Sequence, residues 1–507
     1  MKGSVFSKIS AFILVWVLLF SFVSCDNDIS EETTAEEVTE APVELPGGSI
    51  SVPYSSSDSL NPYFSDSVLN NALTSLVYRS LYRLDTSFSP VKDLAVSESI
   101  SGLFLRVTII QELVFSDSTQ LTAEDVVYSF ECAKSSEVYS SGLSGIASCK
   151  AEDKYTVVFE LKSEDVNILN ALTFPVVKKN TAAADSSLPI GNGYYQYNQD
   201  GIRLSLKANL QYAGGLPQKG TVRLTDVSSN ISPQNLVPSG EIDFYYSDLS
   251  DAAANDINTS STGVYLNNLV YMGVNHSNVN LVLASFRQAL SYGIDRQSLA
   301  ENAFRGFARA AVVPFNTSWT GYTSSLSAAG AVTTANGEKT QELLSQRGFG
   351  KDGIPLDVTL ICNEGNAFIR NTANEIAASL KPYNVNIDVQ FLSSEELKKN
   401  VEAGTFDLYI AEIKLPSTMD LSQFFTLGGS AAYGMIFDNL TADEAYFRYK
   451  KGEITIDDFI SLFNADMPFI PLVYRNGRFL YTRSIISELS ASENALYADI
   501  YKWKFAE

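Results

Sequence analysis

Side chains that could catalyse a reaction are sparse in this chain of 507 residues. His276 is the only histidine, and it follows the strand-like segment Leu269–Asn275. The sequence has no Gly-x-Ser-x-Gly elbow, no His-Glu-x-x-His helix and no Gly-x-x-x-x-Gly-Lys loop, the patterns that hold a serine nucleophile, a zinc ion or a phosphate. We therefore expect a protein that binds rather than catalyses, with no cofactor and no metal.

Cys25 stands where a secretory signal would be cleaved. Lys2 and Lys8 make the N-terminus basic, and Ala11–Phe20 is an uninterrupted apolar run, shorter than the roughly 20 residues that a bilayer span needs. Residues 1–24 are therefore predicted to be a signal peptide. Phe22–Cys25 resembles the lipobox of bacterial lipoproteins, which implies cleavage before Cys25 and a diacylglycerol group on its sulfur. The alternative is an uncleaved anchor with an incidental cysteine. In both cases the body lies outside the cytoplasm, on the cell membrane.

An acidic segment follows the cysteine. Asp26–Pro46 contains eight acids, no base and no aromatic residue. Such a stretch cannot bury enough apolar surface to offset the entropy lost on ordering, and its like charges keep it extended. Residues 25–46 are predicted to be a disordered tether, and the folded body is expected to begin near Gly47.

The rest of the chain has the composition of a large globular protein, with 45% hydrophobic and 11% aromatic residues. A core of this size normally divides into two or more domains. The net charge of −22 argues against binding to nucleic acid or to anionic lipid, because both would repel it. Cys132, Cys149 and Cys362 cannot all pair, and a disulfide between the first two or free thiols are both open.

Alternating and helical hydrophobic patterns predict mixed elements. Helical spacing predicts a helix over Asn70–Leu84, and Thr122 is predicted to cap a second helix, with the Asp125 carboxylate returning to its amide. Strands alternate with helices in the second half, which predicts an α/β lobe with a mostly parallel sheet. The remaining predicted elements are strands over Ser49–Val52, Leu103–Ile110, Tyr155–Phe159, Ile354–Cys362, Val385–Phe391 and Leu408–Ile413, and a helix over Phe368–Leu380.

Five stretches in order resemble the extracytoplasmic solute-binding proteins of peptide-type ABC transporters, family 5. Val114–Phe130 looks like the signature of that family, although Ser118 stands where the family usually has glycine. Pro189–Tyr195 is similar to its Pro-x-Gly-Thr-Gly-Pro-Tyr turn, with Asn192 and Tyr194 substituted. The other three are Leu206–Tyr212, Ser239–Asp243, and Phe286–Arg296, in which Asp295 is expected to cap a helix.

The resemblance implies an α/β fold of the periplasmic-binding-protein type, with two lobes, a hinge and a ligand cleft between them. Residues 47–268 and 477–507 would form lobe I, and residues 269–476 would form lobe II. It also implies the substrate-binding subunit of an ABC importer, which captures oligopeptides or dipeptides and delivers them to permease subunits.

Candidate ligand residues follow from the expectation that such sites lie past the carboxyl ends of strands. The loops Cys362–Ala367 and Lys414–Phe425 are two such ends. In the family an aspartate of the second loop often binds a peptide's amino group, and Asp420 is the acid available there; the alignment also permits Ser417. The other interpretation makes Asp420 a turn or cap residue. Weaker candidates for the cleft are Asn275, Trp319, Phe424 and Tyr433.

Three other functions stay open from the sequence. Oligosaccharide binding is the better alternative, because 26 Tyr and 29 Phe offer many stacking surfaces. A nickel complex is a poorer one, since a single histidine leaves few imidazole ligands. A surface sensor or adhesin on the same scaffold is a remote third.

Overall fold

The computed structural model describes residues 46–230, 232–249, 257–323, 333–437, 441–487, 489, 491–493, 496–497 and 499–506. Cys25, the predicted signal peptide and the predicted tether, apart from Pro46, lie outside the described residues. Among the described residues, no helix combines the length and the hydropathy that a bilayer span requires.

Strands and helices alternate along the chain. The strands are β1 Ser49–Tyr54, β2 Tyr82–Leu84, β3 Pro90–Lys92, β4 Ala95–Ser101, β5 Phe104–Ile109, β6 Ile146–Ala151, β7 Thr156–Leu161, β8 Tyr195–Asp200, β9 Arg203–Ala208, β10 Thr221–Asp226, β11 Phe244–Ser247, β12 Ser260–Val274, β13 Ala308–Ala310, β14 Leu356–Asn363, β15 Val385–Leu392, β16 Leu408–Lys414 and β17 Phe469–Tyr481. The helices are α1 Val68–Val77, α2 Ala123–Lys134, α3 Leu236–Ser239, α4 Ala284–Gly293, α5 Arg296–Ser298, α6 Thr320–Thr323, α7 Gly337–Ser345, α8 Ala367–Leu380, α9 Ser394–Ala403, α10 Ser422–Phe425, α11 Ala442–Lys450 and α12 Ile456–Asp466. A π-helical turn spans Leu299–Ala303, and 3-10 turns span Ile168–Ala171, Pro233–Asn235, Lys381–Tyr383 and Ile500–Lys502.

Among the described residues, two large hydrophobic cores and one small cluster divide these elements, and the two large cores give the two-lobed α/β architecture expected from the sequence. The first core collects the apolar faces of α1, α2 and two four-stranded sheets, ordered β1-β10-β9-β8 and β4-β5-β7-β6. The second core collects those of α4, α8, α11, α12 and the strands β14 and β16. Leu84 and Phe88, early in the chain, also reach the second core.

β12 and β17 run through both cores side by side. Val264 and Leu266 of β12 lie in the first core, and Leu269 to Val274 lie in the second. On β17, Tyr474 belongs to the second core and Phe479 to the first. The two strands pair antiparallel, with a register shift between the pairs Tyr265/Asn476 and Leu269/Tyr474. The chain therefore passes between the cores on two strands that are bonded to each other.

The largest sheet corrects the expectation of mostly parallel strands. Its order is β11-β17-β12-β16-β14-β15. Only β14 pairs in parallel fashion, with β15 and with β16, whereas β12 is antiparallel to both β16 and β17. The hydrophobic pattern within a single strand does not show the direction of its neighbours. The antiparallel pairs of this sheet all include β12 or β17, the two strands that cross between the cores.

The helix predicted over Asn70–Leu84 is too long, because its last residues form the strand β2. α1 begins at Val68, and Ser67 Oγ accepts a hydrogen bond from the amide of Asn70. It ends at Val77, whose carbonyl oxygen accepts a hydrogen bond of 2.9 Å from the amide of Gly193. A Cβ on Gly193 would lie 2.6 Å from the Val77 carbonyl carbon, so only glycine permits this approach. Because a distant turn takes the last carbonyl, the chain turns away and forms β2 instead of a longer helix.

Several other sequence predictions are confirmed. The amide of Thr122 donates to the Asp125 carboxylate at 2.8 Å, so the predicted capping interaction begins α2. Asp295 Oδ1 accepts from the amide of Ser298 at 2.9 Å and caps α5. The predicted strands and the helix over Phe368–Leu380 form within two residues of their expected ends. Of the two alternatives left open for the cysteines, the structure has free thiols at Cys132, Cys149 and Cys362.

Ser118 gives a test of turn chemistry. Its φ of 67° lies in the left-handed region, which costs an L-residue about 1 to 2 kcal/mol while glycine adopts it freely. Ser118→Gly should therefore raise the free energy of unfolding by up to about 1 kcal/mol, after the larger entropy of unfolded glycine is counted. Ser116→Gly, two residues earlier and outside the left-handed region, should lower it by about 0.5 to 1 kcal/mol. Chemical denaturation of both variants measures the effect, and equal destabilisation by the two would contradict it.

Candidate functional site

Asp420 lies at a junction between elements of the two cores. Its Oδ2 is 2.6 Å from Lys450 Nζ, and its Oδ1 accepts hydrogen bonds from the Tyr446 hydroxyl at 2.9 Å and the Ser422 amide at 2.6 Å. Lys450 Nζ also lies 3.2 Å from Asp165 Oδ2. Asp165 immediately precedes the turn whose Ile168 is in the first core, whereas Tyr446 is in the second. A partly buried lysine thus joins carboxylates from the two sides.

The two carboxylates respond differently to this arrangement. Burial alone would raise the pKa of Asp420, but the Lys450 ammonium and the hydrogen bonds to the carboxylate outweigh it, so the pKa lies below its ordinary value. Burial does raise the pKa of Asp165, whose contact with Lys450 is longer. Burial would lower the pKa of Lys450, yet the two carboxylates hold it above the ordinary value. Asp420 is therefore the stronger partner of the lysine.

Ser417 is bonded across the same junction. Its hydroxyl donates to the Asn170 carbonyl at 2.7 Å, and the Asn170 side-chain amide donates to the Ser417 carbonyl at 2.9 Å and to the Phe88 carbonyl at 3.0 Å. The amide of Val166 donates to the Lys450 carbonyl at 3.0 Å. The structure thus brings Asp420 and Ser417 together, with both engaged by groups of the protein itself. Their role in binding a peptide amino group stays a prediction.

The other four candidate residues lie in or beside the second core. Asn275 donates to the Phe406 and Gly404 carbonyls at 2.8 and 3.1 Å. Trp319 is buried with its ring centroid 5.4 Å from that of Phe315. Phe424 stacks on Phe469 at 4.0 Å, and Tyr433 packs half-buried against the same core. Their assignment to the ligand also stays a prediction.

His276 has a structural environment. Its Nε2 lies 3.0 Å from the Pro468 carbonyl oxygen, and its Nδ1 accepts from the amide of Ile436 at 3.3 Å. Burial, reinforced by the nearby Arg287, lowers the pKa of His276 to about 4. The imidazole is neutral at physiological pH, and both ring nitrogens have partners. Among the described residues, no group of three or more His, Cys, Asp or Glu side chains is arranged to hold a metal ion.

A cavity of about 410 Å³ lies beside α1 and extends to Lys414 at the end of β16. We call it the cleft cavity. Its volume is within the range of about 300 to 1,000 Å³ that small-molecule sites occupy. One side is formed by α1 and by residues around β2 and β3, another by the Gly193 turn, and Lys414 at the end of β16 contributes from the large sheet. None of the six predicted ligand residues lines it.

Charged side chains line much of the cleft cavity. Arg79 Nε lies 2.8 Å from Asp93 Oδ1, and its guanidinium is 5.7 Å from the centre of the Tyr212 ring. Lys414 is paired with Glu493. Local geometry places Arg79 here, because its amide donates to Asn192 Oδ1 at 3.0 Å, which ties the residue to the Gly191–Gly193 turn.

Three tyrosines form an aromatic wall of the cleft cavity. The Tyr194 ring stacks on the Tyr501 ring at 5.2 Å, and it lies 4.2 Å from the Tyr212 ring at a tilt. Burial, and then the neighbouring Tyr212 hydroxyl, raises the pKa of Tyr194 well above its ordinary value. Tyr194 is therefore neutral at physiological pH. The three rings can stack on flat or apolar groups while their hydroxyls form hydrogen bonds.

The sequence analysis missed the cleft residues, although one signal was available. Tyr194 stands at a position where the related motif has proline, and a bulky aromatic residue at such a departure points to a local function. Tyr212 ends the family-like stretch Leu206–Tyr212, but no ligand role was predicted for it. Nothing in the sequence distinguished Arg79 or Arg83 from other surface arginines, because their positions depend on the early end of α1.

Comparisons with known proteins show the family and the fold of this chain. The family model "Bacterial extracellular solute-binding proteins, family 5 Middle" matches residues 89–434. The oligopeptide-binding protein AppA of Bacillus subtilis is 24% identical over 434 residues, which cover 78% of this chain and 78% of that protein. The unliganded open form of the periplasmic murein tripeptide binding protein MppA has a TM-score of 0.73 at 17% identity, covering 91% of this chain and 98% of the other. NikA from Staphylococcus aureus, solved with a complex of nickel and L-histidine, has a TM-score of 0.58 at 20% identity, covering 90% and 99%.

The junction at Lys450 predicts unequal losses of stability. Breaking a buried ion pair typically costs about 3 to 5 kcal/mol. Because Asp420 and Lys450 are only partly buried, Asp420→Asn should lower the free energy of unfolding by an amount near the lower end of that range. Asp165→Asn should cost less, because Lys450 keeps its closer partner. Thermal and urea unfolding of both variants measure the difference, with Glu152→Gln, which breaks an exposed pair with Arg106, as the surface control.

The pH dependence of that loss has a definite sign. The folded-state pKa of Asp420 is below its ordinary value of 3.8, so its contribution is complete above that pH and disappears as the pH falls through the lowered pKa. The stability gap between wild type and Asp420→Asn should be constant at neutral pH and should close only below about pH 4. A gap that closed near neutrality would contradict the assignment of the charge to Asp420.

Proposed function

Because the chain belongs to the bacterial extracellular solute-binding proteins of family 5, we propose that it is the substrate-binding subunit of an ABC importer that captures oligopeptides or dipeptides. The observation that carries the proposal is the cleft cavity, a space of about 410 Å³ lined mostly by residues of the proposed lobe I, with Lys414 from the proposed lobe II. The name of the AppA relative supports the substrate class. The protein would bind its ligand without a chemical reaction and deliver it to the permease subunits of the transporter.

We propose that the lobes divide near Asn268 and Asn476, so that residues 47–268 and 477–507 form lobe I and residues 269–476 form lobe II. The change of core along β12 between Leu266 and Leu269, and along β17 between Tyr474 and Phe479, supports these positions. The register shift in the pairing of β12 with β17 at the same place supports a hinge there. Backbone at a shift has fewer ladder hydrogen bonds and bends more readily.

Oligosaccharides are the second candidate ligand, and the stacked Tyr194 and Tyr501 rings favour it. Sugar rings present apolar faces that stack on aromatic side chains, with hydroxyls that meet charged groups at the rim. A nickel complex has less support, since both ring nitrogens of His276 have partners within the protein. A sensor or adhesin would use the same cleft without a transporter.

We further propose that Cys25 carries the lipid that holds the protein at the outer face of the cell membrane. The lipobox-like Phe22–Cys25 and the acidic residues after it support this. A single acyl chain binds a membrane only marginally, so a diacylglyceryl group with a further acyl chain is expected. The family description, extracellular solute-binding proteins, agrees with a folded body outside the cytoplasm.

Ligand binding should close the two lobes. A ligand at a hundredfold its dissociation constant adds about 2.7 kcal/mol to the stability of the form that binds it, so the melting temperature should rise by a few degrees. Small-angle X-ray scattering should show a smaller radius of gyration. A peptide library and an oligosaccharide panel are compared in both assays, with free amino acids at equal concentration as the control. A rise in melting temperature with saccharides alone would favour the second candidate. An unchanged radius of gyration at saturation would contradict the hinge.

Loss of the Cys25 thiol should release the protein from the membrane. In Cys25→Ser no sulfur is available for the lipid, so the protein should appear in the soluble extracytoplasmic fraction. Cys132→Ser, which changes a free thiol of the folded body, is the matched control and should stay with the membrane. Membrane retention of Cys25→Ser with an intact N-terminus would instead establish an uncleaved anchor.

A further inference from the structure

The cleft cavity has a charge balance opposite to that of the whole chain. The protein has 36 Lys and Arg against 58 Asp and Glu. The cavity is lined by four cations, Arg79, Arg83, Lys92 and Lys414, and by three carboxylates, Asp93, Asp248 and Glu493. An acidic protein repels anions at long range, so cations gathered at one concave site make that site the favourable place for a negative group.

Three of the four cations have carboxylate partners within the protein. Arg79 pairs with Asp93 at 2.8 Å, Lys92 pairs with Glu98 at 2.8 Å, and Lys414 pairs with Glu493. Their charges are already compensated. Arg83 has no ion pair with any described residue. It is the cation of the cavity whose charge is left for a group from outside.

The backbone holds Arg83 in place. It is the central residue of β2, opposite Val91 of β3, and its flanking residues Tyr82 and Leu84 are both buried. Because successive side chains of a strand point to opposite faces, burial of its neighbours directs Arg83 away from the core. A guanidinium presents parallel N–H donors in a fork, a geometry that matches a carboxylate.

We propose that Arg83 is the carboxylate-recognition residue of the cleft, so that the protein selects peptides with a carboxylate placed to meet it. The inference rests on the proposed function of the cavity and names the chemistry of its ligand. The Tyr194, Tyr212 and Tyr501 wall lines the same cavity and supplies stacking surface for the uncharged part of the peptide. The carboxylate can come from the peptide C-terminus or from an Asp or Glu side chain.

The test uses two randomised tetrapeptide libraries that differ only at the C-terminus, one with the free acid and one with the amide. Each library is equilibrated with the protein, and the bound peptides are identified by mass spectrometry. Dissociation constants are then measured for the most enriched peptides. Because Arg83→Gln removes hydrogen bonds between charged groups, it should raise the dissociation constants of these peptides by about 10- to 100-fold. Arg83→Lys keeps the charge but loses the paired N–H donors, so its dissociation constants should lie between those of wild type and Arg83→Gln.

The controls separate recognition from net charge and from folding. Arg106→Gln removes one positive charge from an exposed pair on β5 and should leave the dissociation constants within about twofold. Melting temperatures of all variants without ligand show whether the fold is intact.

Each outcome has one meaning. Binding of the free-acid library alone assigns the carboxylate to the C-terminus, and enrichment of Asp and Glu that disappears in Arg83→Gln assigns it to a side chain. Equal binding of the selected peptides by wild type and Arg83→Gln overturns the inference and leaves the proposed function standing. Binding of neither library to wild type, together with failure of a matched pair of dipeptide libraries, contradicts the proposed function itself.

Discussion

The pairing of β12 with β17 is the constraint on which the arrangement of this protein depends. Two strands cross together from one core to the other, and their hydrogen bonds are interrupted where the cores meet. Interrupted backbone groups must find other partners when they are buried. Asn267 donates to the Leu415 and Pro416 carbonyls, and Asn316 donates to the Leu266 carbonyl and to Asn267 Oδ1. These amides fix the crossing and the start of the loop after β16, and hence the position of Lys414.

A second constraint acts on the part of the cleft cavity formed by the end of α1 and the Gly193 turn. The Gly191–Gly193 turn approaches the end of α1 so closely that a side chain at either glycine would collide with the Val77 carbonyl. The approach ends the helix, leaves Arg79 bonded to Asn192, and places Tyr194 beside Tyr212. One close backbone contact therefore sets the end of a helix, the direction of an arginine and the stacking of the aromatic wall.

The sequence was informative where a local rule sufficed. The capping interaction at Thr122, the cap at Asp295 and the alternating strands follow from neighbours in the chain, and the family motifs supplied the two-lobed fold. The predicted helix to Leu84 failed, because its end depends on a turn more than a hundred residues away. Separation along the sequence also explains why the cleft cavity was not predicted. Its residues Arg79, Tyr194 and Lys414 come together only when the two cores form. Asp420 was chosen for its charge, and no local signal could show that Lys450 pairs with it.

The junction at Lys450 differs in kind from the crossing strands. Burying an ammonium and two carboxylates is costly, so the junction adds less to stability than apolar residues of equal volume could. Its hydrogen bonds are directional, however. The Asn170–Ser417 exchange, the Val166–Lys450 bond and the pair of Lys450 with Asp165 all join the same short segment to the second core. Because directional bonds tolerate little displacement, a rotation of the lobes can preserve them only about an axis that passes near this segment. Under the proposed hinge, the crossing strands and the junction would together define such an axis, and the cleft cavity would change its width while both sets of contacts persist.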